Sequence, residues 1–126
     1  MKLFIRAFTF IIVSAAMAMT IGCSQNHIEK KLADPDMQGE GGVTVVGLDE
    51  SLHHDYLRVT IEFKNKKSKN AHIYYRIRWL DVKGNVLKAD APWKQILVYG
   101  KRNLFVTDTA PDARAVDYKL EINSDK

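Results

Sequence analysis

Three groups of residues in this chain carry side chains whose types and spacing could do chemistry. His53-His54-Asp55, beside Asp49 and Glu50, has the donor atoms of a metal site. A metal needs ligands converging from held positions, whereas adjacent residues on a strand point to opposite faces. The cluster therefore reads as a polar turn between two strands, and no metal or other cofactor is expected there. Lys64, Lys66, Lys67 and Lys69 crowd the connection Lys64–Asn70. Such a loop can meet lipid phosphates or an anionic cell-wall polymer, each lysine near an anionic surface contributing about 1 kcal/mol. The alternative is a hairpin tip kept soluble by charge, which also discourages edge pairing. Tyr74, Arg76 and Arg78 lie two residues apart on one strand face. Aromatic plus arginine is the composition of interface hot spots, and arginine grips carboxylates with two parallel hydrogen bonds. The alternative is a wet face crossed by salt bridges to Glu62 or to neighbouring charged residues.

No catalytic constellation accompanies these groups. The sequence holds no Gly-x-Ser-x-Gly elbow and no phosphate-cradling glycine loop, so a non-enzymatic protein is expected. Of the four histidines, His27 precedes the strand-rich region and His72 begins a strand. The single cysteine, Cys23, is explained by its position. Met1 to Arg6 is short and positive, Ala7 to Met19 is apolar apart from Thr9 and Ser14, and Thr20-Ile21-Gly22 leads into Cys23. Positive start, apolar stretch of about a dozen residues and small residue before the cut are the parts of a signal peptide, and the stretch is shorter than a stable membrane span. The cysteine directly after it resembles the lipobox of bacterial lipoproteins, with Thr20 where leucine is commonest. That resemblance implies lipid on Cys23 and removal of residues 1–22. Ser24, in place of aspartate, implies by the same resemblance an outer-membrane destination facing the periplasm. An uncleaved anchor with an incidental cysteine is the alternative.

Removal of that signal leaves about 104 of the 126 residues, enough for one small domain. Losing Lys2 and Arg6 takes the net charge from +4 to about +2. No dense basic patch with interleaved aromatics is present, which argues against nucleic acid as a partner. With one cysteine no disulfide can form within the chain, so packing or self-association must supply stability, and a homodimer is compatible with this. Residues 24–42 have few apolar side chains, one proline and several glycines, the composition of a flexible tether. Ile28 and Leu32 allow at most one helical turn before Pro35.

From Val43 onward the hydrophobic period is two. Val43–Leu48 reads as a first strand. Leu57, Val59, Ile61 and Phe63 alternate with polar partners, as do Ile73, Tyr75, Ile77 and Trp79. Lys83-Gly84-Asn85 turns the chain into Val86-Leu87, and strands follow over Gln95–Tyr99, Asn103–Thr107 and Tyr118–Ile122. About seven short alternating strands over residues 43–126 predict an all-β, immunoglobulin-like antiparallel sandwich, with a small barrel as the alternative. Trp79 is the expected core plug, with Phe63, Tyr75 and Tyr118 around it.

The run Tyr75-Arg76-Ile77-Arg78-Trp79-Leu80-Asp81-Val82-Lys83-Gly84 resembles the Tyr-Arg-x-x-Trp-x-Asp-x-x-Gly core of the YcfL-like periplasmic lipoproteins. Pro92-Trp93, Ala110-Pro111, Ala115 and Asp117–Leu120 resemble later parts of that family. The resemblance implies a lipid-anchored immunoglobulin-like domain without established activity, hence no catalytic residues to carry over. It also implies an association with cell-wall synthesis, because related genes often lie near a lipoprotein activator of cell-wall synthases. The expected function is a non-enzymatic protein-interaction module whose partners are the membrane, through Cys23, and another envelope protein, with the cell-wall synthesis machinery indicated by that association. The alternatives are a binder of peptidoglycan or anionic glycolipid through the lysine loop and, after it, a metal-handling protein using His53, His54 and Asp55.

Overall fold

The computed structural model describes residues 22–88 and 91–124, with the backbone alone for residues 22–25 and 40. The expected signal peptide lies outside the described residues except for Gly22. Seven strands form: β1 Val43–His53, β2 Tyr56–Asn65, β3 Ala71–Leu80, β4 Val86–Leu87, β5 Lys94–Val98, β6 Asn103–Thr109 and β7 Asp117–Asn123. All pair antiparallel in two sheets, one ordered β1-β2-β6 and the other built on β3. β7 pairs along Tyr74–Leu80 of β3, while β5 and β4 share the opposite edge at Ala71–Tyr75 and Trp79–Leu80. The all-β antiparallel sandwich expected from the alternation is the observed fold.

The period-two pattern decides which side chains meet between the sheets. Leu57, Val59, Ile61 and Phe63 of β2 face Ile73, Tyr75, Ile77 and Trp79 of β3, and Tyr118, Leu120 and Ile122 of β7 complete the buried layer. Phe63 packs on Tyr75 with ring centroids 5.8 Å apart, and Trp79 on Tyr118 at 6.3 Å. The β3–β4 turn is built by Asp81, whose carboxylate accepts from the amides of Lys83 and Asn85, both at 2.9 Å. Gly84 takes the positive φ of 81° that this turn needs.

Strand ends shift by one or two residues from the sequence reading, and two differences are larger. β1 continues through Asp49–His53 because β2 pairs with it residue for residue up to His53↔Tyr56, and a bulge at Val46 resets the register between Val45 and Gly47. The larger correction concerns the expected tether. Gly22–Lys31 is a helix, α1, followed by a bridge from Leu32 to Leu120 and by short 3-10 turns at Pro35–Met37 and Glu40–Gly42. Ile28 and Leu32 are buried in the core. They stand four residues apart, on one helix face, and fill the open side of the sandwich between β1 and β7. Composition argued for coil because only two apolar side chains dock the helix. Those two suffice because the slot already exists. Pro35 ends the helix as anticipated, with Asp34 capping the next turn through the Asp36 amide at 3.1 Å.

His27 and Lys31 hold α1 in that slot through partners on β1 and β7. His27 Nε2 donates to Glu50 Oε1 at 2.8 Å, and the Tyr118 hydroxyl donates to the same oxygen at 2.7 Å. Lys31 pairs with Asp117 and also sits over the Tyr118 ring, 5.3 Å from its centroid. On the opposite side of the sandwich, Asp108 of β6 accepts from the Tyr75 hydroxyl at 2.8 Å and from Lys94 at 2.6 Å. One side of the sandwich is closed by a helix and the other by a carboxylate node.

Candidate functional site: the lysine-rich end

The end of the sandwich where β2 passes into β3 is organised by one buried polar residue. Asn65 is fully buried. Its amide nitrogen donates to the Lys69 carbonyl at 2.7 Å and the Val98 carbonyl at 3.0 Å, and its side-chain oxygen accepts from the Lys67 amide at 3.0 Å. Its backbone N–H donates to the Arg102 carbonyl at 3.0 Å. One side chain thus ties the β2–β3 loop to the β5–β6 connection, as burial of a polar group requires. The connection is pressed against the loop at Gly100, where a Cβ would lie 2.0 Å from the Ser68 carbonyl oxygen, so only glycine fits. Lys101 completes the seam, its N–H on the Lys67 carbonyl at 2.9 Å and its ammonium on the Lys66 carbonyl at 2.6 Å.

Lys64, Lys66, Lys67 and Lys69 are exposed around this scaffold, and Lys101 and Arg102 join them from the neighbouring connection. The loop flagged by its lysines is therefore a fixed surface with two further cations that its own sequence does not contain. Sequence reasoning missed Asn65, since an asparagine inside a lysine run looks like one more solvated polar residue. Its only visible signal was its place one step beyond a clean alternating strand.

The arginine stripe has a different setting. Arg76 and Arg78 both donate to Glu121 of the neighbouring strand β7. The Arg76 guanidinium lies over the Trp93 ring, 4.4 Å from its centroid, a cation–π geometry. Tyr74 lies on the same strand face, half-buried, opposite Gln95 and Asn123. The arginines are engaged within the fold, by Glu121 rather than by Glu62. Glu62 instead accepts from Asn103 at 2.7 Å.

His53 and His54 lie at the far end, in the β1–β2 hairpin, with ring centroids 4.2 Å apart. His54 and Asp55 take φ of 50° and 69°, the two positive values of a type I′ turn. No group of three or more His, Cys, Asp or Glu side chains able to hold a metal is found among the described residues. Beside the Asp108 node, Arg76, Trp79, Lys88, Lys94 and Pro111 line a cleft of about 220 Å³, and open clefts of about 450 Å³ and 350 Å³ lie beside Gln38 and beside Met37.

Of the perturbed titrating groups, Tyr75, Tyr118 and Asp117 belong to the two closed sides, while the Asp112 carboxyl in the β6–β7 connection is held down to about 2 by hydrogen bonds from Arg114. Burial, then the hydrogen bond to Asp108, pushes the Tyr75 phenol well above its ordinary value. Burial, then the bond to Glu50, does the same for Tyr118. For Asp117, partial burial pushes the carboxyl up, but the Lys31 ammonium and the Tyr118 amide outweigh it and the net direction is down. Tyr75, Tyr118 and Asp117 bind the sheets and α1 together.

A model of the family described as protein of unknown function DUF1425 matches residues 26–124. Among solved structures, a DUF1425 family member from Shewanella sp. pv-4 is 24% identical with a TM-score of 0.57, covering 64% of this chain and 74% of that one. Campylobacter jejuni cj0090 is 20% identical, also at 0.57, covering 68% of this chain and 88% of that one. Both show likeness of fold alone. No curated protein matches.

Proposed function

The chain belongs to the DUF1425 family, whose function is unknown, and from that premise we propose that it is an envelope lipoprotein, anchored through lipid on Cys23 to the periplasmic face of the outer membrane. It works there as a non-enzymatic binding module for an anionic envelope polymer. The finer likeness to YcfL-like periplasmic lipoproteins supports the envelope setting. The observation that carries the binding reading is the Asn65 scaffold, which fixes the backbone of the loop at Lys67 and Lys69, where Lys64, Lys66, Lys101 and Arg102 are also exposed. A merely soluble hairpin tip needs no such construction. A loop whose backbone is already fixed loses less conformational freedom on binding than a floppy one. The arginine stripe is the weaker docking surface, because Glu121 and Trp93 already occupy it.

The test is sedimentation with purified cell-wall sacculi over a range of salt. The protein is expected in the pellet at low salt and released as salt rises, because surface charge attraction is screened. Lys66→Glu with Lys67→Glu is expected to reduce pelleting at least tenfold without changing the melting temperature. Absence from the pellet at the lowest salt would dismiss the polymer.

A second reading, another envelope protein or a second copy of this chain, is favoured by Phe105. It is 64% exposed on β6, an edge strand of its sheet. Photoreactive groups at Phe105 and Tyr74 in living cells distinguish the surfaces. A protein adduct at Phe105 supports this second reading. An adduct at Tyr74 that disappears with Arg76→Glu and Arg78→Glu reinstates the stripe.

A further inference from the structure

The segment expected to be a tether instead fixes which end of the domain an anchor would hold. Between α1 and β1 the chain passes from the hairpin-side half of the sandwich to the lysine-rich end. His27 meets Glu50 of β1, Lys31 meets Asp117, Leu32 bridges Leu120, Gln38 meets the backbone of Val45, and the Gly42 carbonyl reaches the Lys66 amide. α1, which begins at Gly22 and Cys23, consequently docks in the half of the sandwich nearest the β1–β2 hairpin, the β3–β4 turn and the β6–β7 connection. The lysine-rich surface is at the other end. β1 runs from one end to the other, Val43 to His53, and a strand of that length covers roughly 33 Å. The two ends are thus roughly 30 Å apart, more than three times the Debye length of about 8 Å in physiological salt.

The anchor-side end carries a set of apolar side chains that packing does not use. Val82 in the β3–β4 turn is 84% exposed, Leu52 beside the hairpin 74% and Val116 before β7 58%. Val116 and Val82 come together around Leu80, whose carbonyl accepts the Val116 amide at 2.9 Å. Three connections, distant in sequence, each place an apolar residue at the hairpin end. Charge at this end leans acidic: Asp55, Asp81, Asp112 and Asp117 stand with Lys83 and Arg114, with Arg114 paired to Asp112 and Asp117 to Lys31.

We propose that the hairpin end is a membrane-contact surface, seated on the bilayer that holds the lipid of Cys23 through Leu52, Val82 and Val116, so that the lysine end points away from that bilayer. The proposal rests on the lipid-anchor reading above. It also selects between the two anionic surfaces open to the lysines. The headgroups of the anchoring membrane are out of electrostatic reach, and a polymer across the periplasmic gap is in reach. With α1 docked, only a few residues separate the acyl chains from the body of the domain, so a loose domain that samples both orientations is not what this fold provides.

The experiment uses the protein in the processed form recovered from cells, whose mass first reads whether Cys23 is acylated. It is placed in nanodiscs of phosphatidylethanolamine and phosphatidylglycerol that carry a gadolinium-chelating lipid, and amide relaxation is followed residue by residue. Amides of residues 52–56, 82–85 and 112–116 are expected to broaden severalfold, with those of residues 66–69 and 101–102 unaffected. Uniform broadening, absent broadening, or broadening led by residues 66–69 overturns the proposal. Failure of the anchor reading is seen separately, as a mass without acyl groups. In that event a synthetic maleimide lipid coupled to the Cys23 thiol puts the seating to the same residue-by-residue measurement, with the same outcomes deciding it.

Discussion

At the scale of single residues, Asn65 and the two buried tyrosines carry the testable weight. Asn65→Ala removes the partners of the Lys69 and Val98 carbonyls and the Lys67 amide together. A buried polar group left without a partner costs about 1–3 kcal/mol. Water reaching the exposed loop offsets part of the total, so a loss of about 2 kcal/mol is expected in urea unfolding. Amide exchange at Lys67 and Lys69 should accelerate beyond what global destabilisation explains. A loss under 0.5 kcal/mol would show that the lysine end is not held by Asn65. Tyr75 and Tyr118 give a pH signature with a defined sign. Their folded pKa values are raised above the unfolded value of about 10, so their contribution is fully present below pH 10 and is lost as pH rises beyond it. Melting temperature should fall steeply above pH 10, and tyrosinate absorbance from these two rings should develop together with unfolding. Tyr118→Phe, which keeps the ring and removes the bond to Glu50, should flatten that fall and cost about 1 kcal/mol at neutral pH.

At the scale of elements, the strands were legible and the helix was not, for one physical reason. A strand buried on one face writes its burial into alternate residues, so β2, β3 and β7 could be read directly, as could the Asp81–Asn85 turn from its residue types. Trp79, Tyr75, Phe63 and Tyr118 stood where the alternation put them. α1 writes almost nothing. Its apolar face is Ile28 and Leu32, and its remaining support comes from Glu50, Asp117 and Leu120, all distant in sequence. For the same reason the lysine loop was visible as composition, while its scaffold, split between Asn65, Gly100 and Lys101, was not. The helix makes a prediction that separates a packed element from a tether. Leu32→Ala should destabilise the domain by about 2–3 kcal/mol, the lower part of the range for buried leucines, since an undocked helix caps the loss. A change within 0.5 kcal/mol in urea unfolding would return the segment to a tether. Acid should loosen the same element first. The Asp117 carboxyl is held below its ordinary value, so the stabilisation it shares with Lys31 is present above the unfolded carboxyl pKa near 3.9 and is lost as pH falls below it. Amides of residues 28–33 should lose protection at acid pH before those of β2 and β3.

At the scale of the whole molecule, the fold joins two surfaces of opposite character across one rigid body. The core runs the length of the sandwich from Leu57 and Trp79 to Val43 and Val98, α1 closes one side and the Asp108 node closes the other. Stability therefore does not depend on a disulfide, which a chain with one cysteine could not form internally. Rigidity along this axis matters for the proposed role, because a flexible body would let the lysines fold back onto anionic headgroups and the anchor would then compete with the polymer. A stiff body roughly 30 Å long holds them apart, leaving both contacts satisfied at once, and the second contact gains from the effective concentration that the first imposes. Vesicles bearing the acylated protein should consequently sediment with sacculi at low salt, while vesicles bearing Lys66→Glu with Lys67→Glu should stay in the supernatant. Raising salt from 0.05 to 0.5 M should release the wild-type vesicles severalfold, as screening shortens to a few ångströms. If the lipid-free domain pellets with sacculi and the protein-bearing vesicles do not, the lysine end must face the anchoring bilayer, and the two-ended arrangement is wrong even though the polymer binding is right.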